Sequence, residues 1–88
     1  MIQAELLITN RQGLHARACQ AFVHLASRYQ SEVYVSRDGV EVNGKSILGV
    51  MMLAAEPGAA IVVRAEGPDE EDALAALAKL VEDKFGED

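Results

Sequence analysis

The chain has 88 residues, half of them hydrophobic and a quarter charged, an ordinary globular composition that argues against disorder. Eight Lys and Arg stand against fourteen Asp and Glu, a formal net charge of -6. Such a balance lacks the positive patch on which non-specific attraction to nucleic acid or an anionic membrane rests, and a protein partner should offer positive charge.

Ile2, Ala4, Leu6 and Ile8 alternate with Gln3, Glu5, Leu7 and Thr9, which predicts a strand with one face buried. From Leu14 the period changes. Leu14, Ala18, Phe22, Leu25 and Tyr29 recur at three- and four-residue steps, predicting a helix packed on its Leu/Phe side. Glu32 to Ser36 and Val40 to Asn43 read as two short strands with Val33, Val35, Val40 and Val42 inward, joined by an Asp38-Gly39 hairpin turn. The run ILGVMMLAA after Ser46 is too continuous to assign by periodicity, but Ser46 as an N-cap favours a short helix. After the Glu56-Pro57-Gly58 turn, Ile61, Val63 and Ala65 line the inner face of a fourth strand. Asp69 to Phe85 is predicted as a closing helix, with acidic residues at its start, lysines late, and Leu74, Leu77, Val81 and Phe85 as its buried stripe. The order β-α-β-β-α-β-α, with half-buried strands and amphipathic helices, packs most economically as a two-layer α+β domain, an antiparallel sheet with all helices on one face.

The expectation is a single domain over residues 1–88, cytoplasmic, because no basic, apolar leader opens the chain and no apolar run approaches the roughly 20 residues that span a bilayer. The single cysteine, Cys19, cannot make an intramolecular disulfide, and no Cys/His set has zinc spacing; neither a metal nor a cofactor is expected.

Chemistry concentrates in NRQGLHARACQAF, Asn10 to Phe22. Gly13 allows close backbone approach, and His15 stands where a helix begins, among unpaired N–H groups and partial positive charge that favour an anion and a neutral, nucleophilic ring. Arg17 adds a permanently charged, planar donor. His24, nine positions on and about 180° around an ideal helix, cannot share a ligand with His15. Ser46 has a sufficient role as a helix cap, yet Ile47, Leu48, Met51 and Met52 crowd a helix too short to bury them all, and Met beside aliphatics suits the docking of several partners.

The segment GLHARA (Gly13 to Ala18), with NGKSILGVMMLAA (Asn43 to Ala55) about thirty residues downstream, resembles the histidine-containing phosphocarrier protein (HPr) family of the bacterial phosphoenolpyruvate-dependent phosphotransferase system. The resemblance covers essentially the whole chain. It implies an HPr-like open-faced sandwich with strand order 1-4-2-3, and a relay in which phosphorylated enzyme I charges His15 on Nδ1 and an enzyme IIA domain receives the phosphoryl group. It also implies Arg17 as the active-site arginine and Ser46 as the residue that a dedicated HPr kinase/phosphorylase modifies in many bacteria; Ile47, Leu48 and Met51, from the crowding of that short helix, are expected to form the partner-docking patch. Such a protein is a phosphoryl-transfer intermediate rather than a stand-alone catalyst, and is expected to be a monomer. The wording GVMMLAA and FGED is similar to proteobacterial members, some of which serve nitrogen-related regulation rather than sugar uptake. One departure stands out: the family usually has Pro after the arginine, where this chain has Ala18. No P-loop is present, so the phosphate must come from another protein. Two other classes remain open: a non-catalytic adaptor that docks through the Ile47/Leu48/Met51 patch, and a small RNA-binding domain, which the acidic balance disfavours.

Overall fold

Alternation and helical periodicity produce seven regular elements in the computed structural model, which describes residues 1–87: β1 (Ile2–Leu7), α1 (Ala16–Ala26), β2 (Glu32–Arg37), β3 (Val40–Asn43), α2 (Ile47–Met52), β4 (Ala60–Glu66) and α3 (Glu70–Glu82). The strands form one antiparallel sheet in the order β1-β4-β2-β3. Register places Leu6 opposite Ile61, Ala4 opposite Val63, Val33 opposite Ala65 and Val35 opposite both Val63 and Val42. These residues share one face, against which Phe22, Val23 and Ala26 of α1, Val50 of α2 and Ala73, Leu77 and Val81 of α3 close the core. Fully burying Phe22 or Leu77 is worth about 1.5–3 kcal/mol each, so the core rests on few large side chains. The other face carries Glu5, Glu32, Glu41 and Glu66, with Arg64 stacked 4.4 Å over Tyr34 and 2.9 Å from Glu41.

Asp38 and Gly39, at φ 53° and 84°, make the tight left-handed turn between β2 and β3. Three expectations need correction. Val40 lies on the inward face by register but is 54% exposed, because the four-residue β3 begins beyond the cover of the helices. Helix α1 begins at Ala16, not Leu14, since His15 has extended backbone angles and acts as the cap; Leu14 is buried from the loop. Helix α3 ends at Glu82. Lys84, Phe85 and Gly86 follow at φ 57°, 58° and 78°, a left-handed turn that takes Phe85 off the helical stripe while leaving it packed against the core.

The acidic start of α3 also does more than complement a helix dipole. Asp69 makes no cap with its side chain; its Oδ2 accepts from Gln30 N and its Oδ1 from Ser31 N, each at 2.9 Å, and Oδ1 also accepts from the Ser31 hydroxyl. The carboxylate thus ties the turn after α1 to the start of α3. The Ser31 hydroxyl first, and then the Gln30 N–H, hold the Asp69 carboxyl below its ordinary value of 3.8. A lowered native value means that the tie stabilises the fold above the unfolded carboxyl's range and that its contribution fades as pH falls through the native value. Asp69→Ala should therefore melt below wild type at pH 7, with the gap closing on acidification below about pH 4; thermal melts across pH 2–7 check this.

Candidate functional site

The loop after β1 is fixed by backbone contacts. Gly13 N donates to Asn10 O at 3.2 Å, closing a turn, and Leu14 N donates to Ala55 O at 2.9 Å, pinning the loop to the segment before β4. Gly13 has φ 67°, and a Cβ there would lie 2.6 Å from Ala55 O, so only glycine combines that conformation with that approach. The pinned loop delivers His15 to the N-cap of α1, where its carbonyl accepts from Cys19 N at 2.9 Å.

The ring of His15 is held from both sides. Arg17 N donates to Nδ1 at 3.3 Å, and Nε2 lies 2.9 Å from each carboxylate oxygen of Glu87. A backbone N–H can only donate, so Nδ1 carries the lone pair that accepts it and Nε2 the proton. Asn10, fully buried, directs its Nδ2 to Gly13 O and to Glu87 Oε1, both at 2.8 Å, while its Oδ1 has no partner among the described residues. The ring nitrogen first, and Asn10 second, hold the Glu87 carboxyl below the usual carboxylate value. Around the ring opens a shallow concavity of about 530 Å³ lined by Arg11, Gln12, His15, Ala16, Arg17 and Glu87. Two arginines, a helix N-terminus and a ring with an available lone pair can receive a phosphoryl group and stabilise its charge.

The remaining candidates divide into neighbours of this site and bystanders. Cys19 is buried, its Sγ 3.5 Å from Leu14 O, and burial pushes its thiol up; it does not face His15. Ala18 is the third residue of α1 and buried, within the first turn, where a missing N–H costs least. Ser46 caps α2, its Oγ accepting from Gly49 N at 3.1 Å. Beside it Ile47, Leu48 and Met51 are exposed, and so is Met52, at 77% the most exposed of the group. His24 needs a different description from the helical wheel: because His15 is a cap and not a helical residue, the 180° argument does not apply. Arg17, Gln20 and His24 follow one another at three and four residues along one stripe of α1, and Gln20 and His24 line a second depression, of about 330 Å³, together with Ile47 of α2. Sequence reasoning missed Asn10 and Glu87. Asn10 had a local signal, Asn at the first and Gly at the fourth position of a turn. Glu87 had none, since its contact spans 72 positions.

A family model described as the PTS HPr component phosphorylation site matches residues 2–83. The chain belongs to the HPr family of phosphocarrier proteins. Phosphocarrier protein HPr of Xylella fastidiosa (strain 9a5c) is 50% identical over 88 residues, covering 100% of this chain and 99% of the relative. A crystal structure of HPr from Thermoanaerobacter tengcongensis superposes with a TM-score of 0.96 at 44% identity, covering 100% of this chain and 99% of that one. A crystal structure of an HPr dimer from the same organism superposes at 0.80 with 45% identity, covering 99% and 100% of the two chains.

The geometry makes Gly13 the sharpest test of the site's construction. Gly13→Ala should lose about 1–3 kcal/mol of stability from a strained left-handed alanine, with a further loss from displacing Ala55 O, read by urea unfolding. Wild-type stability in this variant would show that the loop yields and that the approach does not fix His15.

Proposed function

We propose that His15 Nδ1 accepts a phosphoryl group from phosphorylated enzyme I and passes it to an enzyme IIA domain, within the phosphotransferase system to which the HPr family belongs. One observation carries this reading: the nitrogen left with a lone pair is the one beside the open N-terminus of α1, and the other ring nitrogen is occupied by a carboxylate. Phosphoryl transfer asks for in-line positioning and charge stabilisation, and little else, from the protein. When phosphate bonds to Nδ1, the Arg17 N–H loses its ring partner and is free to turn to a phosphate oxygen, and the guanidinium of Arg17, on the rim of the same concavity, supplies positive charge. The protein acts in the cytoplasm as a reactant recharged each cycle. Ile47, Leu48, Met51 and Met52, continuous through Ile47 with the Gln20/His24 depression, form the docking surface. The acidic outer face of the sheet would repel a phosphodiester backbone, which weighs against an RNA-binding role. The protein acts as a monomer in this reading, and sedimentation equilibrium should return the mass of one chain.

With radiolabelled phosphoenolpyruvate and enzyme I, His15→Ala should take up no acid-labile phosphate, His24→Ala should keep its label, and Arg17→Ala should transfer about a hundredfold more slowly with its fold intact. Full labelling of His15→Ala would overturn His15 as the acceptor, whereas a wild-type protein that takes up no label would return the protein to the adaptor reading, in which the α2 patch acts and His15 is silent.

Ser46 is proposed as the site at which a dedicated HPr kinase/phosphorylase regulates docking. A phosphate there adds about -1.5 to -2 charges at the N-terminus of α2, locally favourable, but at the edge of the apolar patch that a partner must cover. Ser46→Asp should keep its circular dichroism and melting temperature while raising the KM for enzyme I. Ser46→Ala should lose about 1 kcal/mol of cap stability and leave the KM nearly unchanged. Equal KM values for wild type and Ser46→Asp would make Ser46 a helix cap only.

A further inference from the structure

The carbonyl that receives Leu14 N follows a strained residue. Leu53 N and Ala54 N close the end of α2 with contacts of 3.2 and 3.1 Å to Val50 O and Met51 O, and Ala54 then takes φ 48°, the left-handed region where a helix end ordinarily places glycine. An alanine there is strained by its Cβ and, left to itself, returns to the right-handed or extended region. Arg37 opposes that return. Period two puts it on the same side of β2 as the buried Val33 and Val35, and its Nη1 donates to Leu53 O and to Ala54 O, each at 2.8 Å. Those carbonyls belong to the two peptide units that flank Ala54, so one donor group fixes the pair of planes whose relation defines its φ and ψ. The ion pair of Arg37 with the exposed Asp38, at 3.6 Å, adds little. The next residue is Ala55, whose carbonyl accepts from Leu14 N at 2.9 Å and lies where a Cβ on Gly13 would meet it. Further along, Gly58 N donates to Ile8 O at 2.7 Å, so Ala55 is held between the arginine on one side and the end of β1 on the other.

We propose that Arg37 is a positioning residue for phosphoryl transfer: it holds Ala54 in its left-handed turn, the turn aims Ala55 O at Leu14 N, and Leu14 leads directly into the histidine that caps α1. The inference rests on His15 as the phosphoryl acceptor. Arg37 does not line the concavity around the ring, and its effect is carried by backbone alone. Without the guanidinium, Ala54 relaxes, the peptide that follows it swings, and Ala55 O moves away from Leu14 N. The loop from Gly13 to His15 then loses the tie that fixes its end. A misplacement of about 1 Å at a reacting group is enough to slow transfer by about a hundredfold, even when the change lies far from the chemistry. An arginine suits the task because the two N–H bonds of one guanidinium nitrogen diverge in fixed directions within a rigid plane, and its charge strengthens both contacts.

The test compares wild type, Arg37→Met, which keeps an apolar stem and removes the donors, Ala54→Gly, and the double variant. Glycine adopts the left-handed turn unaided, so it should make the arginine dispensable. In native-state hydrogen exchange the Leu14 amide should exchange about ten- to a hundredfold faster in Arg37→Met, the range expected when hydrogen bonds to a charged group are lost, and should regain its protection in the double variant. In rapid-quench transfer of radiolabelled phosphate from enzyme I, Arg37→Met should lower the saturated rate about tenfold or more at a nearly unchanged KM, and the double variant should recover the rate. Ala54→Gly alone should transfer at the wild-type rate and melt at a higher temperature. Circular dichroism verifies that the variants are folded. Wild-type protection of Leu14 in Arg37→Met, or a double variant that stays slow, would overturn the role of Arg37 alone. So would a raised KM at an unchanged saturated rate, which would make Arg37 a support of the docking helix only. Failure of wild type to take up label would overturn the phosphoryl-acceptor reading, and with it the transfer step that Arg37 is assigned to serve, while the exchange of Leu14 would still report whether Arg37 braces the loop.

Discussion

Every part of the site depends on the approach of one loop to one carbonyl. Leu14 N reaches Ala55 O at 2.9 Å only because Gly13 has no Cβ to meet that oxygen. The contact continues the pairing of the β1 end with the segment before β4, where Ile8 N donates to Ala59 O and Gly58 N to Ile8 O. The sheet therefore dictates where the loop ends, the end of the loop dictates which residue caps α1, and the cap is the histidine. A ring on a freely moving loop would need to be ordered at each encounter with a ligand; here the ordering is completed on folding.

The concavity around His15 is lined by no residue of α2. The ring, Arg17 and Glu87 line one concavity, while Ile47 of α2 lines another depression with Gln20 and His24 of α1. Helix α2 is six residues long and buries only Val50, so most of its apolar surface is left for contact with other molecules. Its stability comes from elsewhere: Ser46 caps its start, and Arg37 Nη1 from β2 donates to Leu53 O and Ala54 O at its end, each at 2.8 Å. A helix held by its two ends can present an apolar face without depending on that face for its own folding. A charge added at Ser46, as proposed above, would act on the presented face while the Arg37 anchor stays in place.

Much of this was legible in the sequence, for identifiable reasons. Period-two alternation at Ile2–Ile8 and Ile61–Ala65 and the Asp38-Gly39 turn are local signals, and the structure follows them. His15 and Ser46 were visible as caps because helix starts have recognisable chemistry. Residues whose position is decided by a distant partner were misread. Val40 has the pattern of a core residue but lies beyond the helices that would cover it, and Phe85 fits the α3 stripe yet packs from a left-handed turn. Glu87 reads as one more acid in an acidic chain; only the fold brings it to His15 across 72 positions.

The proposed transfer requires that Nδ1 of His15, and not Nε2, carry the reactive lone pair. Its most direct test is ¹⁵N–³¹P correlation on histidine-labelled protein phosphorylated by enzyme I, which reads the bonded nitrogen itself. The account predicts a one-bond coupling of phosphorus to His15 Nδ1, with Nε2 still protonated beside Glu87. Phosphate bonded to Nε2, or to any other residue, would contradict it.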